Sequence, residues 1–202
     1  MRFESNGVNE IYFVDGAEYS LSKAHCDALT SASAHFLECF KITHEVDVYI
    51  SQRSIVQTIG SNARAWHMPP TFDRDNSIIC VFIDPESGIK DMITSLAHEM
   101  IHAWQVQRGD LVHTSWKGIE LGQLPYQLLP WEIEAHGNME SVAETFYESR
   151  KLTKFELDGI RANTESVFEQ IKNDANLAHY KKQFAKVAKV AGAIGLGALI
   201  GL

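Results

Sequence analysis

"LAHEMIHAWQ", residues 96–105, sets His98 and His102 four positions apart, with Glu99 directly after the first. Residues four apart in a helix lie one turn apart on the same side, so both imidazoles can reach one point in front of it. Two neutral imidazoles with an adjacent carboxylate are the parts of a metal centre that carries its own base. The same letters also spell an ordinary polar helix face, and the surrounding sequence has to separate the two readings.

Helical spacing runs from about Ile89 to Gln107, after Asp84-Pro85-Glu86-Ser87-Gly88 and before Gly109, which supply the start and stop signals. At about 100° per residue, Asp91, Thr94, Ser95, His102 and Gln105 fall within roughly 60° of His98. Met92, Ile93, Leu96, Met100, Ala103 and Trp104 fall on the opposite half. The helix is therefore expected to pack its back into a core and to show the histidines on its polar face. Histidines buried merely for packing sit more often in the apolar stripe, so the plain alternative is a solvated face.

Upstream, "EIYFVDG" reads as a strand and turn, and a helix follows, capped by Ser20 or Ser22, with Leu21, Ala24, Ala28, Leu29, Ala32, Phe36, Leu37 and Phe40 at helical spacing. "EVDVYIS" turns Val46, Val48 and Ile50 inward. "ARAW" and "SIICVFID" flank the loop "HMPPTFDRDN", giving a small sheet of three or four strands. Residues 109–130 read as a long loop with one short strand. Pro130 opens the helix "PWEIEAHGNMESVAETFYESRK", and one or two more helices fill 153–185. The fold class is α+β, with a main domain over 1–150, a helical extension over 151–180 and a tail over 181–202.

Eighteen basic against 26 acidic side chains leave a net charge of −8, which repels phosphates and argues against a nucleic-acid partner. The tail departs from this balance: Lys181, Lys182, Lys186 and Lys189 are its only charges, so the 14 basic and 26 acidic side chains of residues 1–174 carry −12. "VAGAIGLGALIGL", residues 190–202, follows the lysines as an uncharged apolar end, and membrane contact through 181–202 is expected. Cys26, Cys39 and Cys80 form neither an even set nor a C-x-x-C pair, and "MRFESNGVNE" has no apolar stretch of a secretion signal, so a cytoplasmic setting is expected. Cys39 and Cys80 read most simply as small core residues.

Zinc suits the two-histidine pair: it takes nitrogen and oxygen donors without geometric penalty and lowers the pKa of a bound water to about 7, within reach of Glu99. A third donor comes from "PWEIEAHG". Glu132 can approach the histidine face, Glu134 points some 200° away from it on the wheel, and His136, four residues after Glu132, is suited to support a ligand. Both glutamates also fit the first turn of a helix, where the dipole favours carboxylates.

With the two motifs together, the chain resembles the gluzincin branch of zinc metallopeptidases, in which a helix bearing H-E-x-x-H is followed by one bearing E-x-x-A or E-x-E-A-D. "EIEAH", Glu132 to His136, matches with histidine where aspartate is commoner, and the resemblance covers roughly residues 40–150. It looks like the small single-domain members, phage-encoded ones included. The resemblance implies a zincin-like mixed sheet, His98, His102 and Glu132 as Zn2+ ligands, and Glu99 as catalytic base. "HEMIHA" with the later "HTSWKG" is also similar to SprT-type zincins, which would make His113 the third ligand. It ranks second, because the spacing from His102 is short and no zinc ribbon follows.

The expected activity is hydrolysis of a protein or peptide, with Tyr126 and His113 as donors to the developing oxyanion. The substrate is expected to run extended beside the strand at Ile78–Ile83. His67 is read as a loop residue near the cleft. The competing class is a non-catalytic structural or membrane-acting protein on the same scaffold, for which Glu99 has no use.

Overall fold

Val46, Val48 and Ile50 alternate along a β-branched run and are all at most 1% exposed, so this strand is the spine around which the helices settle. The computed structural model describes residues 2–5, 9–14, 17–51, 65–69, 76–83, 88–121 and 124–173. The strands are β1 (Arg2–Ser5), β2 (Asn9–Val14), β3 (Val46–Ser51), β4 (Ala65–Met68) and β5 (Ser77–Phe82). They form one mixed sheet in the order β1-β2-β3-β5-β4, five strands where three or four were expected. The strand not anticipated is β1, whose "RFES" has too little apolar patterning to declare itself. It pairs antiparallel with β2, Phe3 opposite Ile11.

β2, β3 and β5 run parallel, and β4 closes the described sheet antiparallel to β5, with His67 opposite Ile79. Two sequence expectations need correction here. His67 and Met68 belong to a strand rather than a loop, because the β4 pairing starts later than "ARAW" suggested. β5 also cannot be the substrate edge: β3 and β4 take both of its sides, leaving β4 as the terminal strand among the described residues.

Four helices of the described chain carry packing: α2 (Lys23–Cys39), α3 (Ile89–Gln107), α4 (Pro130–Tyr147) and α5 (Lys154–Asn173), after a one-turn α1 (Ala17–Ser20). Ser22 caps α2, its hydroxyl accepting from the His25 N–H at 3.2 Å. α3 spans the predicted range, and Gly109 at φ +73° turns the chain out of it, a conformation glycine adopts without strain. Met92, Ile93, Leu96, Met100 and Ala103 enter the core with Leu29, Phe36, Ile79 and Val81. Each fully buried side chain of this size is worth about 1.5–3 kcal/mol.

Residues 109–130 are more ordered than a loop with one short strand. Three two-residue strands, β6 (Leu111–Val112), β7 (Ser115–Trp116) and β8 (Ile119–Glu120), form an antiparallel meander, and Tyr126–Leu128 make a 3₁₀ turn. Lys117 and Gly118, both at positive φ, form the tight turn between β7 and β8 that twisted hairpins favour. The meander seats Trp116 in a second cluster with Leu121, Trp131 and Phe168. α5 thus joins both cores, through Ile160 and Phe168.

No helix among the described residues is long and apolar enough to cross a membrane. The basic and apolar tail, the helix expected beyond Asn173 and the turn at Asp84–Ser87 lie outside the described residues.

Candidate metal centre

α3 and α4 pack against each other, and Pro130 at the first position of α4 starts that helix where the polar side of α3 passes. His98, Glu99 and His102 meet Glu132 there. The four are 6%, 6%, 5% and 8% exposed, so the polar face of α3 is an enclosed site rather than a solvated surface.

The ring nitrogens His98 Nε2 and His102 Nε2 are 3.1 Å apart. Glu132 Oε2 lies 3.3 Å from His98 Nε2, and its Oε1 lies 3.5 Å from His102 Nε2. Donors at about 2.0–2.1 Å from a tetrahedral ion are separated by roughly 3.3–3.4 Å, close to the spacings of these side chains, each ring having one Glu132 oxygen near it. Two overlapping trios have donor atoms within 4.8 Å of one another: His98, Glu99 and His102, and His98, Glu132 and His136. Between the two carboxylates, Glu132 is the better donor, because its oxygens face both rings whereas Glu99 pairs with neither among the described residues.

Gln105 fixes the orientation of His102. Its Oε1 accepts from His102 Nδ1 at 2.8 Å, which keeps a proton on that nitrogen and turns Nε2 toward the site. Its Nε2 donates to the Trp131 carbonyl at 3.0 Å and to Glu134 Oε1 at 3.1 Å. Glu134 turns away from the centre and receives Arg108 Nη2 at 2.6 Å, and the Arg108 guanidinium lies 3.9 Å over the Trp104 ring. One amide therefore ties His102 to the helix that carries Glu132. His98 has no such support, and its Nδ1 is buried without a hydrogen-bond partner among the described residues.

Burial sets the electrostatics. It pushes the Glu99 carboxyl up to about 7, His102 opposing and Glu132 adding to the rise. Burial works the same way on Glu132 but is outweighed by hydrogen bonds from His102 and His98, which hold that carboxyl below its usual range. Burial lowers His98 and would lower His102, where contact with Glu132 and the charge of Glu99 prevail and raise it.

The Tyr126 hydroxyl donates to Glu132 Oε2 and lies 3.3 Å from His136 Nε2. Burial and Glu132 raise the phenol, keeping its proton in place. His136 is exposed, with its ring 4.4 Å from that of His98, so the structure brings both Tyr126 and His136 to the centre. His113 is not brought in: it occupies the exposed β6–β7 turn at φ 52° and joins neither trio. The short hairpin that follows His102 so quickly in sequence carries it outward.

His67 on β4 is half-buried, with its ring 6.0 Å from that of His102. Cys39 is buried, and Cys80 only half-buried, with its thiol pushed up to about 11 by burial and, less, by Glu99. From His98 and Glu99 a cleft of about 870 Å³ opens between α3 and α4. Sequence reasoning set Gln105 on the right face without giving it a task. It missed the cleft residues Glu140 and Glu144, although Glu132, His136, Glu140 and Glu144 recur every fourth position along α4. The chain matches no protein-family model, no curated protein and no solved structure.

Proposed function

We propose that the chain is a zinc-dependent peptidase on a zincin-like fold, with His98, His102 and Glu132 as ligands and Glu99 as general base. The observation that carries this reading is the approach of His98 Nε2, His102 Nε2 and the two Glu132 oxygens to within 3.1–3.5 Å, with the buried Glu99 carboxyl beside them. When bound, zinc supplies polarisation of the scissile carbonyl and acidification of the attacking water.

The remaining work falls to the chain's own groups. Glu99, with its pKa near 7, takes one proton as the water oxygen bonds to the carbonyl carbon, and returns it to the nitrogen as the C–N bond breaks. The products are a carboxylate and an amine. The Tyr126 O–H, which donates to Glu132 at rest, turns from that carboxylate to donate to the developing oxyanion. The peptide lies extended along β4, the last strand of the sheet on that side among the described residues.

Elemental analysis and cleavage of a mixed peptide pool test the assignment. His98→Ala, His102→Ala and Glu132→Ala are expected to lose about one zinc per chain, Glu134→Ala to keep it, and Glu99→Gln to keep it while losing cleavage. Zinc at background in both untreated and chelator-treated protein after zinc supplementation overturns the reading, as does wild-type cleavage by Glu99→Gln.

A further inference from the structure

The donors at the centre come as two pairs. His98 and His102 stand four residues apart on α3, and Glu132 and His136 stand four residues apart on α4, so each helix turns one pair toward the other. Facing helices that each project donors inward are a recurrent way of building a metal site. His98, His102 and Glu132 are buried, whereas the His136 side chain is 52% exposed. It belongs to the cluster all the same. Its Nε2 lies 4.0 Å from Glu132 Oε2, its ring lies 4.4 Å from that of His98, and His98, Glu132 and His136 each offer a donor atom within 4.8 Å of the other two. A small rotation of the exposed ring closes the difference from the roughly 3.3–3.4 Å that separates two donors on one tetrahedral ion. His136 also lines the cleft with His98, Glu99 and Tyr126, so it stands where the cleft opens onto the centre.

We infer that His136 is a fourth, displaceable zinc ligand that closes the centre at rest, an inference that rests on the peptidase reading above. A structural zinc site has four protein ligands and a catalytic one keeps a position open. Here the two states differ by the one donor that sits at the surface. Burial confines His98, His102 and Glu132, and Gln105 further fixes His102. His136 is held less firmly: among the described residues its polar neighbours are Glu132 and the Tyr126 hydroxyl, 3.3 Å from its Nε2, and no buried amide orients the ring. As a ligand, His136 carries its ring proton on Nδ1 and offers the Nε2 lone pair. A peptide entering the cleft competes with the ring for the same place, and His136 turns out toward solvent as the peptide seats. The chain is therefore latent with His136 in place, and substrate opens it.

Two measurements test this without relying on cleavage. Zinc-loaded protein carrying nitrogen-15 histidine is read by nuclear magnetic resonance, which separates zinc-bound from free ring nitrogens. Cobalt-loaded protein is titrated with acetohydroxamate, a small bidentate metal ligand, and followed by its visible absorption. The wild type is expected to show three zinc-bound imidazoles and His136→Ala two. Acetohydroxamate is expected to bind cobalt-loaded His136→Ala at least about tenfold more tightly than the wild type, because a centre open a tenth of the time or less loses that factor in apparent affinity. Added to zinc-loaded wild type, it is expected to return the His136 signal to its free position. Thermal melts of the zinc-free proteins check that the variant, changed at an exposed position, folds. Two zinc-bound imidazoles in the wild type, or equal acetohydroxamate affinity in the two proteins, overturns the fourth ligand and leaves the peptidase. Three that saturating acetohydroxamate leaves in place overturn the displacement and mark the centre as structural. Absence of zinc from both proteins overturns the peptidase reading, and the role of His136 with it.

Discussion

Replacing Gln105 with methionine asks how the chain holds His102. Gln105 is 0% exposed and makes three hydrogen bonds, at 2.8 Å from His102 Nδ1, 3.0 Å to the Trp131 carbonyl and 3.1 Å to Glu134. Methionine fills a similar volume without donors or acceptors. Glu134 keeps Arg108 and the Trp131 carbonyl stays within its helix, so the group left stranded is the His102 N–H. A buried unsatisfied group costs about 1–3 kcal/mol, and loss of a ligand's supporting hydrogen bond weakens metal affinity about 10–100-fold. Urea unfolding in chelator reads the first quantity, and competition against a fluorescent zinc chelator reads the second. Gln105→Glu separates the roles, because a carboxylate still accepts from His102 Nδ1 but faces Glu134. It is expected to lose stability and to retain most of the zinc affinity. A methionine variant that is destabilised yet binds zinc as tightly as the wild type refutes the positioning argument and leaves Gln105 as a strut between α3 and α4.

Two further outcomes are expected. Burial lowers the pKa of both His35, which sits 3.3 Å from Cys39 Sγ and 2.9 Å from Thr145 Oγ1, and His44, which meets Ser77 Oγ at 3.0 Å. The unfolded chain therefore takes up their protons first, so the stability these two histidines contribute falls as pH drops below about 6.5, against the opposite contribution of the raised Glu99 carboxyl; urea unfolding at pH 7.5 and 5.5 should show His35→Gln and His44→Gln each losing less stability, or gaining more, on acidification than the wild type, and an unchanged slope counts against it. The lysines and apolar end of residues 181–202 should carry full-length protein to vesicles containing phosphatidylglycerol or phosphatidylserine in flotation, whereas a chain ending at Tyr180 stays behind. Equal failure of both removes the membrane role.

The elements legible in the sequence were those with strong local punctuation and period. α3 has a start signal, a glycine stop and a clean apolar half, and its predicted bounds match those of the structure. Pro130 marked α4 in the same way. β1 was not legible, because a short polar strand is stabilised by its partner β2 rather than by its own pattern. The meander was hidden for a related reason: two-residue strands carry no period, and only their turns and Trp116 hold them. Sheet order was the costliest omission. Whether β5 or β4 forms the edge depends on long-range pairing, and that choice moves the proposed peptide by a full strand. At the site, residue types and helical phase brought forward His98, Glu99, His102 and Glu132, while Gln105's role required knowing which carbonyl of α4 lies opposite.

The burial of the site bears on the choice between a polar helix face and a working centre. A solvated face costs nothing to maintain, but two carboxylates and two imidazoles below 10% exposure must be compensated or neutralised. The described residues compensate them with the raised His102 imidazole and with no permanently charged group. Among the described residues, no lysine or arginine pairs with Glu99 or Glu132, whereas the neighbouring buried Glu134 is given Arg108. The same two helices therefore treat two glutamates two residues apart on α4 in different ways. Glu134 is closed into an ion pair of the kind whose disruption costs about 3–5 kcal/mol, whereas Glu132 meets the Nε2 atoms of His98 and His102 and the Tyr126 hydroxyl. A structural network would be expected to close both. On the metal reading proposed above, a divalent cation would bind both imidazoles and offset both carboxylates, which the raised His102 imidazole and the Tyr126 hydroxyl do only in part without it.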